Sequence, residues 1–453
     1  MKKLNSEISL MAAIKKHAIP MQGQMTDYED IISAAKDKIF VMIGCTTHGT
    51  KEFYRTRAEI TGRLIQDMHF DALAIESDWQ GALRINNFTQ SLINESAEDA
   101  LSGFNQFPTW LWRNNEIINF IEWLRSYNTT YRRPEKDNDA PVNTYGIDIY
   151  GMKASLNALL NYLNQVDSVA AKRARRRFKC LENFINPLTS EGPLPEFDLN
   201  DSCAHDAAMQ LFELRRKADE YIKKEYPDAE NAYFHAKQNA NILRHAEEYY
   251  RSIMHGDPDS WNIRNRHMFE TLEDLAHHLG TRLGRPPRIA VWAHNAHIGN
   301  ARATEMNKRG ELNVGQLIED KYKDKSLLIG ITGSCGTVLA ADNWDEPGRV
   351  KKMNRPLPGS YEELFYGLKN SGFVLDLRNN NAAVAGLVVP RLQRSIGVIY
   401  KPETERYSHY LEVCLPEQFN FLLHFDETTA IKPLDTQTRK HYAEYGETYP
   451  SGL

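Results

Sequence analysis

The chain has 453 residues, of which 55 are Lys or Arg and 60 are Asp or Glu, a formal net charge of −5. Its 42% hydrophobic and 25% charged residues are ordinary globular proportions and exclude a disordered or fibrous chain. A mildly acidic balance argues against a general nucleic-acid binder, whose surface is basic, and points to a small-molecule partner.

Length suggests about three domains at roughly 150 residues each, a prior that one α/β domain with an insertion also satisfies. Met1 to Gln24 carries Lys2, Lys3, Lys15 and Lys16 but no continuous apolar run, and no later stretch has the length of a membrane span. Five cysteines (Cys45, Cys180, Cys203, Cys335, Cys414) form no C-x-x-C pair and no disulfide framework. These features predict a cytoplasmic protein without membrane or nucleic-acid partners.

In chain order, short apolar runs of strand length occur at 39–44, 72–75, 144–147, 289–293, 327–331, 373–375, 397–400 and 421–423. Being apolar on both faces, they suit parallel strands covered by helices on each side. Lys51 to Met68 has Ile60, Leu64 and Ile65 at helical spacing, which sets β-α-β order early. The stretch 151–285 reads differently: helical patterns at 156–163, 211–226, 232–254 and 264–279, interrupted by a loop through Pro187, Pro193 and Pro195. The expected architecture is α/β, a mostly parallel sheet flanked by helices. Its core covers about 25–150 and 286–430, and a large helical insertion about 151–285. The basic run Lys172 to Lys179 reads as a solvated helix face in preference to a phosphate-binding patch.

Ligands in open parallel sheets bind beyond the carboxyl ends of the strands. The first run is followed by Cys45-Thr46-Thr47-His48, the second by Glu76-Ser77-Asp78-Trp79, the third by Asp148 and the fourth by His294-Asn295-Ala296-His297. A carboxylate closing an apolar strand, as Glu76 does, is costly to desolvate unless it is paired or used. Each residue also has a plainer reading. Thr46 or Thr47 could cap the following helix, Glu76 could pair with an arginine such as Arg57, and His294 and His297 could merely pack. Trp79, Trp110 and Trp112 suit either an apolar substrate wall or plain core. The chain contains no G-x-S-x-G, H-E-x-x-H, Walker loop or G-x-G-x-x-G. What remains is a His and Glu cluster able to activate water, directly or by holding a metal.

These residues fall into ordered blocks: Gly44-Cys45-Thr46-Thr47-His48-Gly49-Thr50-Lys51-Glu52-Phe53 continuing to Arg57, then Ala74-Ile75-Glu76-Ser77-Asp78-Trp79, Tyr145-Gly146-Ile147-Asp148, Arg264-Asn265-Arg266-His267-Met268 and Trp292-Ala293-His294-Asn295-Ala296-His297. From about 39 to 430 the order of blocks resembles the erythromycin esterase family, which includes proteins labelled as succinoglycan biosynthesis proteins. The resemblance implies a hydrolase that opens the lactone ring of macrolides with an activated water and no required metal or cofactor. It implies His48 as general base, Glu76 and His294 shaping and polarising the water site, and Arg57 steadying nearby charge. His297, Cys45, Asp78, Trp79, Trp112 and Asp148 would line the substrate cleft.

Cys45 departs from the pattern, where a glutamate precedes the histidine by three residues, and Asn265 stands where an acidic residue is expected. A lost carboxylate beside His48 removes a group that would orient the water and raise the basicity of the imidazole. The leading expectation is a metal-independent hydrolase of a lactone or other carboxylic ester. A metal-dependent hydrolase using the same His and Glu side chains, and a ligand-binding homologue without turnover, are the alternatives.

Overall fold

The computed structural model describes residues 2–130, 140–181, 204–223, 228–254 and 259–435. Among these residues lie eleven strands: β1 (Ile19–Pro20), β2 (Phe40–Ile43), β3 (Ala72–Ile75), β4 (Asn143–Gly146), β5 (Ile289–Trp292), β6 (Ser326–Ala340), β7 (Arg349–Lys352), β8 (Gly372–Asp376), β9 (Arg391–Arg394), β10 (Tyr410–Val413) and β11 (Phe421–Thr428). All but β9 and β10 join one sheet in the order β1-β8-β11-β6-β2-β5-β3-β4, with β7 on the far half of β6. From β11 to β4 neighbouring strands are parallel, while β8 and β1 add antiparallel at one edge. The fold is α/β with a mostly parallel sheet.

The side-chain alternation of each strand explains its two covered faces. Val41, Ile43, Leu73 and Ile75 pack with Ile60, Leu64 and Ile65 of helix Lys51–Met68 and Phe120, Ile121 and Leu124 of helix Asn115–Thr130. Phe40, Met42, Ala72, Ala74 and Val291 turn the other way, onto Met268, Leu272, Leu275 and Leu279 of helix Ser260–Leu283 and onto Ile318. Each such buried aliphatic side chain contributes about 1.5–3 kcal/mol relative to exposure.

Register levels the strand ends. Ile43 pairs with Trp292, Trp292 with Ile75, and Ile75 with Gly146, so four neighbouring strands stop in line. The segments that leave them therefore meet along one edge.

The stretch 151–285 is helical wherever it is described: Met152–Val166, Ser168–Arg177, Ala204–Arg216, Ala218–Ile222, Ala229–Met254 and Ser260–Leu283. The first five share an apolar cluster of their own, including Leu159, Leu163, Leu211, Leu214 and Leu243, whereas Ser260–Leu283 lies mainly against the sheet. The Pro187, Pro193 and Pro195 loop, Cys203 and part of the 211–226 pattern lie outside the described residues. In the basic run, Arg173 and Arg177 both bind Glu213, Arg177 at 2.7 Å, and Lys172, Arg175, Arg176 and Lys179 face solvent.

Two sequence expectations are corrected. Gly397–Tyr400 is not a strand: the edges of β6 are occupied by β2, β11 and β7, leaving this segment only single bridges, Ile396 to Thr47 and Ile399 to Ala341. The N-cap position of helix Lys51–Met68 is held by Thr50, without a side-chain capping hydrogen bond, and not by Thr46 or Thr47.

Candidate active site

Four strand ends supply the floor of one cavity of about 380 Å³. The loop after β2 runs tight against β6, where a Cβ on Gly49 would come within 1.8 Å of the Leu339 carbonyl oxygen. Glycine there lets His48 project into the cavity, with Leu339 N–H and Ile431 N–H bonded to the Gly49 carbonyl.

Glu76, just past β3, is the hub. Its Oε2 accepts the backbone N–H of His294 at 2.7 Å, and its Oε1 accepts Arg264 Nη2 at 3.0 Å. The same Oε1 lies 3.4 Å from His297 Nε2 and 4.0 Å from His48 Nε2. Burial opposes ionisation, yet His297, His48 and Arg264 together hold Glu76 well below the usual carboxylate range. Arg264 in turn grips Asp148 through Nε–Oδ1 at 2.9 Å and Nη2–Oδ2 at 2.7 Å. Burial alone would lower Arg264, but Asp148, Tyr150 and Glu76 keep its guanidinium charged.

His294 begins the short turn after β5. Its Nδ1 accepts the Ala296 N–H at 3.2 Å, which places the ring proton on Nε2, buried beside the Thr46 backbone. Its ring centroid is 5.0 Å from that of His48. Burial pushes His48 down to about 3 and His294 down to about 4, with Glu76 pulling both back, so both rings are neutral at physiological pH. His297 is held by Asn265, whose Nδ2 donates to the Trp261 carbonyl at 2.9 Å and whose Oδ1 faces His297 Nδ1 at 2.8 Å. Trp261 stacks on the His297 ring at 4.6 Å.

The structure thus gathers His48, Glu76, Asp78, Trp112, Asp148, His294 and His297 around one cavity, and places three predicted residues elsewhere. Arg57 is buried beneath the floor, donating to the carbonyls of Gly44 at 3.1 Å and Ala293 at 2.6 Å and to Cys45 Sγ at 3.0 Å. It ties the ends of β2 and β5 together, and Glu76 is paired with Arg264 in its place. Cys45 is buried at the same level, its Sγ 4.0 Å from His48 Nδ1, and burial pushes its thiol up to about 11 despite Arg57. Trp79 is core: as first residue of helix Trp79–Thr89 it packs on Tyr145 and Phe234 and donates to His235 Nδ1 at 3.2 Å. Trp110 is likewise buried, edge-on to Phe107.

The upper wall holds residues that no local signal singled out as site residues: Phe104, Phe107, Leu111, Tyr150, Trp261 and Trp344, an apolar collar over a charged floor. Among the described residues no three His, Cys, Asp or Glu side chains are arranged to hold a metal ion.

Residues 65–428 match the family profile described as erythromycin esterase. The chain belongs to that family. Glu76, His294 and His297 fall within the matched stretch and His48 before it. A Bacillus subtilis (strain 168) protein named as a hydrolase, YbfO, is 22% identical over 439 residues, 92% of this chain and 90% of its own. Among solved structures, a Bacillus cereus protein superposes with a TM-score of 0.76 at 18% identity, covering 95% of this chain and 99% of that one. A succinoglycan biosynthesis protein gives a TM-score of 0.70 at 19% identity over 94% and 98% of the two chains. A mutant of the erythromycin esterase EreC in its open conformation gives 0.66 at 14% identity over 92% and 96%. At these identities the structures establish the fold. The family and the relative's name support a hydrolase-type function. No described helix is long and apolar enough to cross a membrane.

Proposed function

We propose that the chain is a carboxylic ester hydrolase of the erythromycin esterase type, acting on a lactone or another small-molecule ester through an activated water. One observation carries the reading: a neutral His48 and a neutral His294 with its proton on Nε2 face the same cavity on either side of an ionised Glu76. The unprotonated nitrogen of His48 accepts the proton of the attacking water. The water oxygen bonds to the acyl carbon, the bond to the alkoxy oxygen breaks, and acid and alcohol leave. The Nε2–H of His294, buried at the cavity beside the Thr46 backbone, is the donor placed to turn to the oxyanion that develops, in a site where burial strengthens it. Glu76 stabilises the His48 imidazolium and anchors the His294 turn.

The mildly acidic charge balance and the aromatic residues lining the cavity support a small-molecule substrate over nucleic acid or membrane. A ligand-binding homologue without turnover is the second reading, favoured by the neutral Cys45 thiol where a carboxylate beside His48 would raise its basicity. A panel of lactones and simple esters, followed by mass spectrometry, separates the two: acid and alcohol products support the hydrolase, and binding without product supports the second.

A further inference from the structure

Glu76 and Asp78 lie two residues apart beyond β3 and both face the cavity, in different surroundings. Glu76 is enclosed by Arg264, the histidines and the His294 N–H. The Asp78 carboxyl instead meets main chain: Oδ1 accepts the Gly81 N–H at 2.7 Å and caps helix Trp79–Thr89. Its backbone is clamped by the end of β4, where a Cβ on Gly146 would sit 2.3 Å from the Asp78 carbonyl oxygen, so glycine is required for that approach. A half-buried carboxyl is thereby held rigidly in the cavity wall.

Hydrolysis of an alkyl ester or lactone expels a strongly basic alkoxide, which needs a proton as it departs. Glu76 is ionised, Arg264 is locked on two carboxylates, His297 is held between Glu76 and Asn265, His294 donates to the oxyanion and His48 takes the proton of the water. We propose that Asp78, as a carboxylic acid, protonates the departing alkoxy oxygen. This rests on the hydrolase reading. The acyl carbon to alkoxy oxygen bond breaks, its electron pair stays on oxygen, and that oxygen takes the Asp78 proton as the Asp78 O–H bond breaks. The proton gained by His48 from the water returns to the Asp78 carboxylate through solvent, restoring both groups. Burial first, and Asp148, push Asp78 up to about 6 against the pull of the backbone N–H groups of Gly81, Gln80 and Asp78 itself. Two neighbouring carboxyls, one held ionised and one kept partly protonated, have the division of properties that acid and base roles require.

The test is the ratio of kcat for an alkyl ester to kcat for a nitrophenyl ester of the same acid, in the parent and in Asp78→Asn, with Asp78→Ser as a second variant. Asn and Ser both accept the helix-capping hydrogen bond, so the fold is retained, and neither can donate an acidic proton. A nitrophenolate leaves without help, so the alkyl-to-aryl ratio is expected to fall about a hundredfold in both variants. Equal losses on both esters would assign Asp78 a structural role and overturn the proposal, as would an unchanged ratio. A parent that hydrolyses neither these esters nor any lactone overturns the hydrolase reading itself, and a parent that hydrolyses both esters without the split overturns only the role of Asp78.

Discussion

The Glu76 carboxylate and the backbone N–H of His294 are 2.7 Å apart, so the end of β3 fixes the turn after β5 that carries both His294 and His297. Replacing that carboxylate acts on stability and chemistry together. In Glu76→Gln, Arg264 keeps its two bonds to Asp148, so the chain is expected to fold with a loss of about 1–3 kcal/mol from weakened buried hydrogen bonds. Turnover is expected to fall roughly tenfold to a hundredfold as the histidines lose their anchor. A thermal melt and a rate on one ester check both; a variant with parental melting temperature and rate would remove Glu76 from the centre of the site.

The buried histidines set the pH response. His48 is held near 3 and His294 near 4, so on a nitrophenyl ester kcat/KM should stay level from neutral pH down to about pH 5, without the inflection near 6.5 of an exposed histidine. An acid limb centred at 6.5 would show that His48 is solvated.

Stability follows from the same shifts. His235, His267, His278 and His409 are also lowered to about 4 by burial. A histidine whose folded pKa lies below its unfolded value contributes stability that is complete above about 6.5 and is lost as pH falls toward the folded value. Glu76, also lowered on folding, works in the same direction at lower pH. The melting temperature should therefore be level above about pH 7 and fall steadily from about pH 6.5 to 4.5. A melting temperature that rises over that interval would contradict the burial of these rings.

Cys45 separates three outcomes. Its thiol is buried, raised to about 11 and bonded to Arg57, which argues against a nucleophile. Cys45→Ala should retain the parental rate within about threefold, and iodoacetamide should leave activity intact. Cys45→Glu would set a carboxylate between Arg57 and His48 Nδ1, raising the basicity of the ring, and should be faster than the parent. Loss of activity in both variants, with alkylation of Cys45 inactivating the parent, would make the thiol the attacking group.

Much of the site was legible because strand ends are local signals. Apolar runs closed by Cys45, Glu76, Asp148 and His294 mark β2 to β5, and parallel register then levels them without further information. Arg264 was not legible as their partner: it reaches Glu76 across 188 residues from a helix whose pattern announces only its apolar face. Asn265 holds His297 for the same reason, one residue along that helix. The tryptophans divided on side-chain direction, which spacing does not reveal. Trp79 turns inward from the first position of its helix, whereas Trp112, at the end of a short helical turn, opens onto the cavity. The apolar run 397–400 lacked a free strand to pair with, and its Gly397 and Val398 border the cavity mouth instead.

The central claim is that His48 accepts the proton of the attacking water, and the kcat of His48→Gln on any ester the parent turns over tests it most directly. Glutamine keeps the shape of the ring's polar edge without its basic nitrogen, so kcat is expected to fall about a hundredfold or more, with the melting temperature close to that of the parent. A His48→Gln variant that turns over at the parental rate would contradict the account and assign the base to another residue.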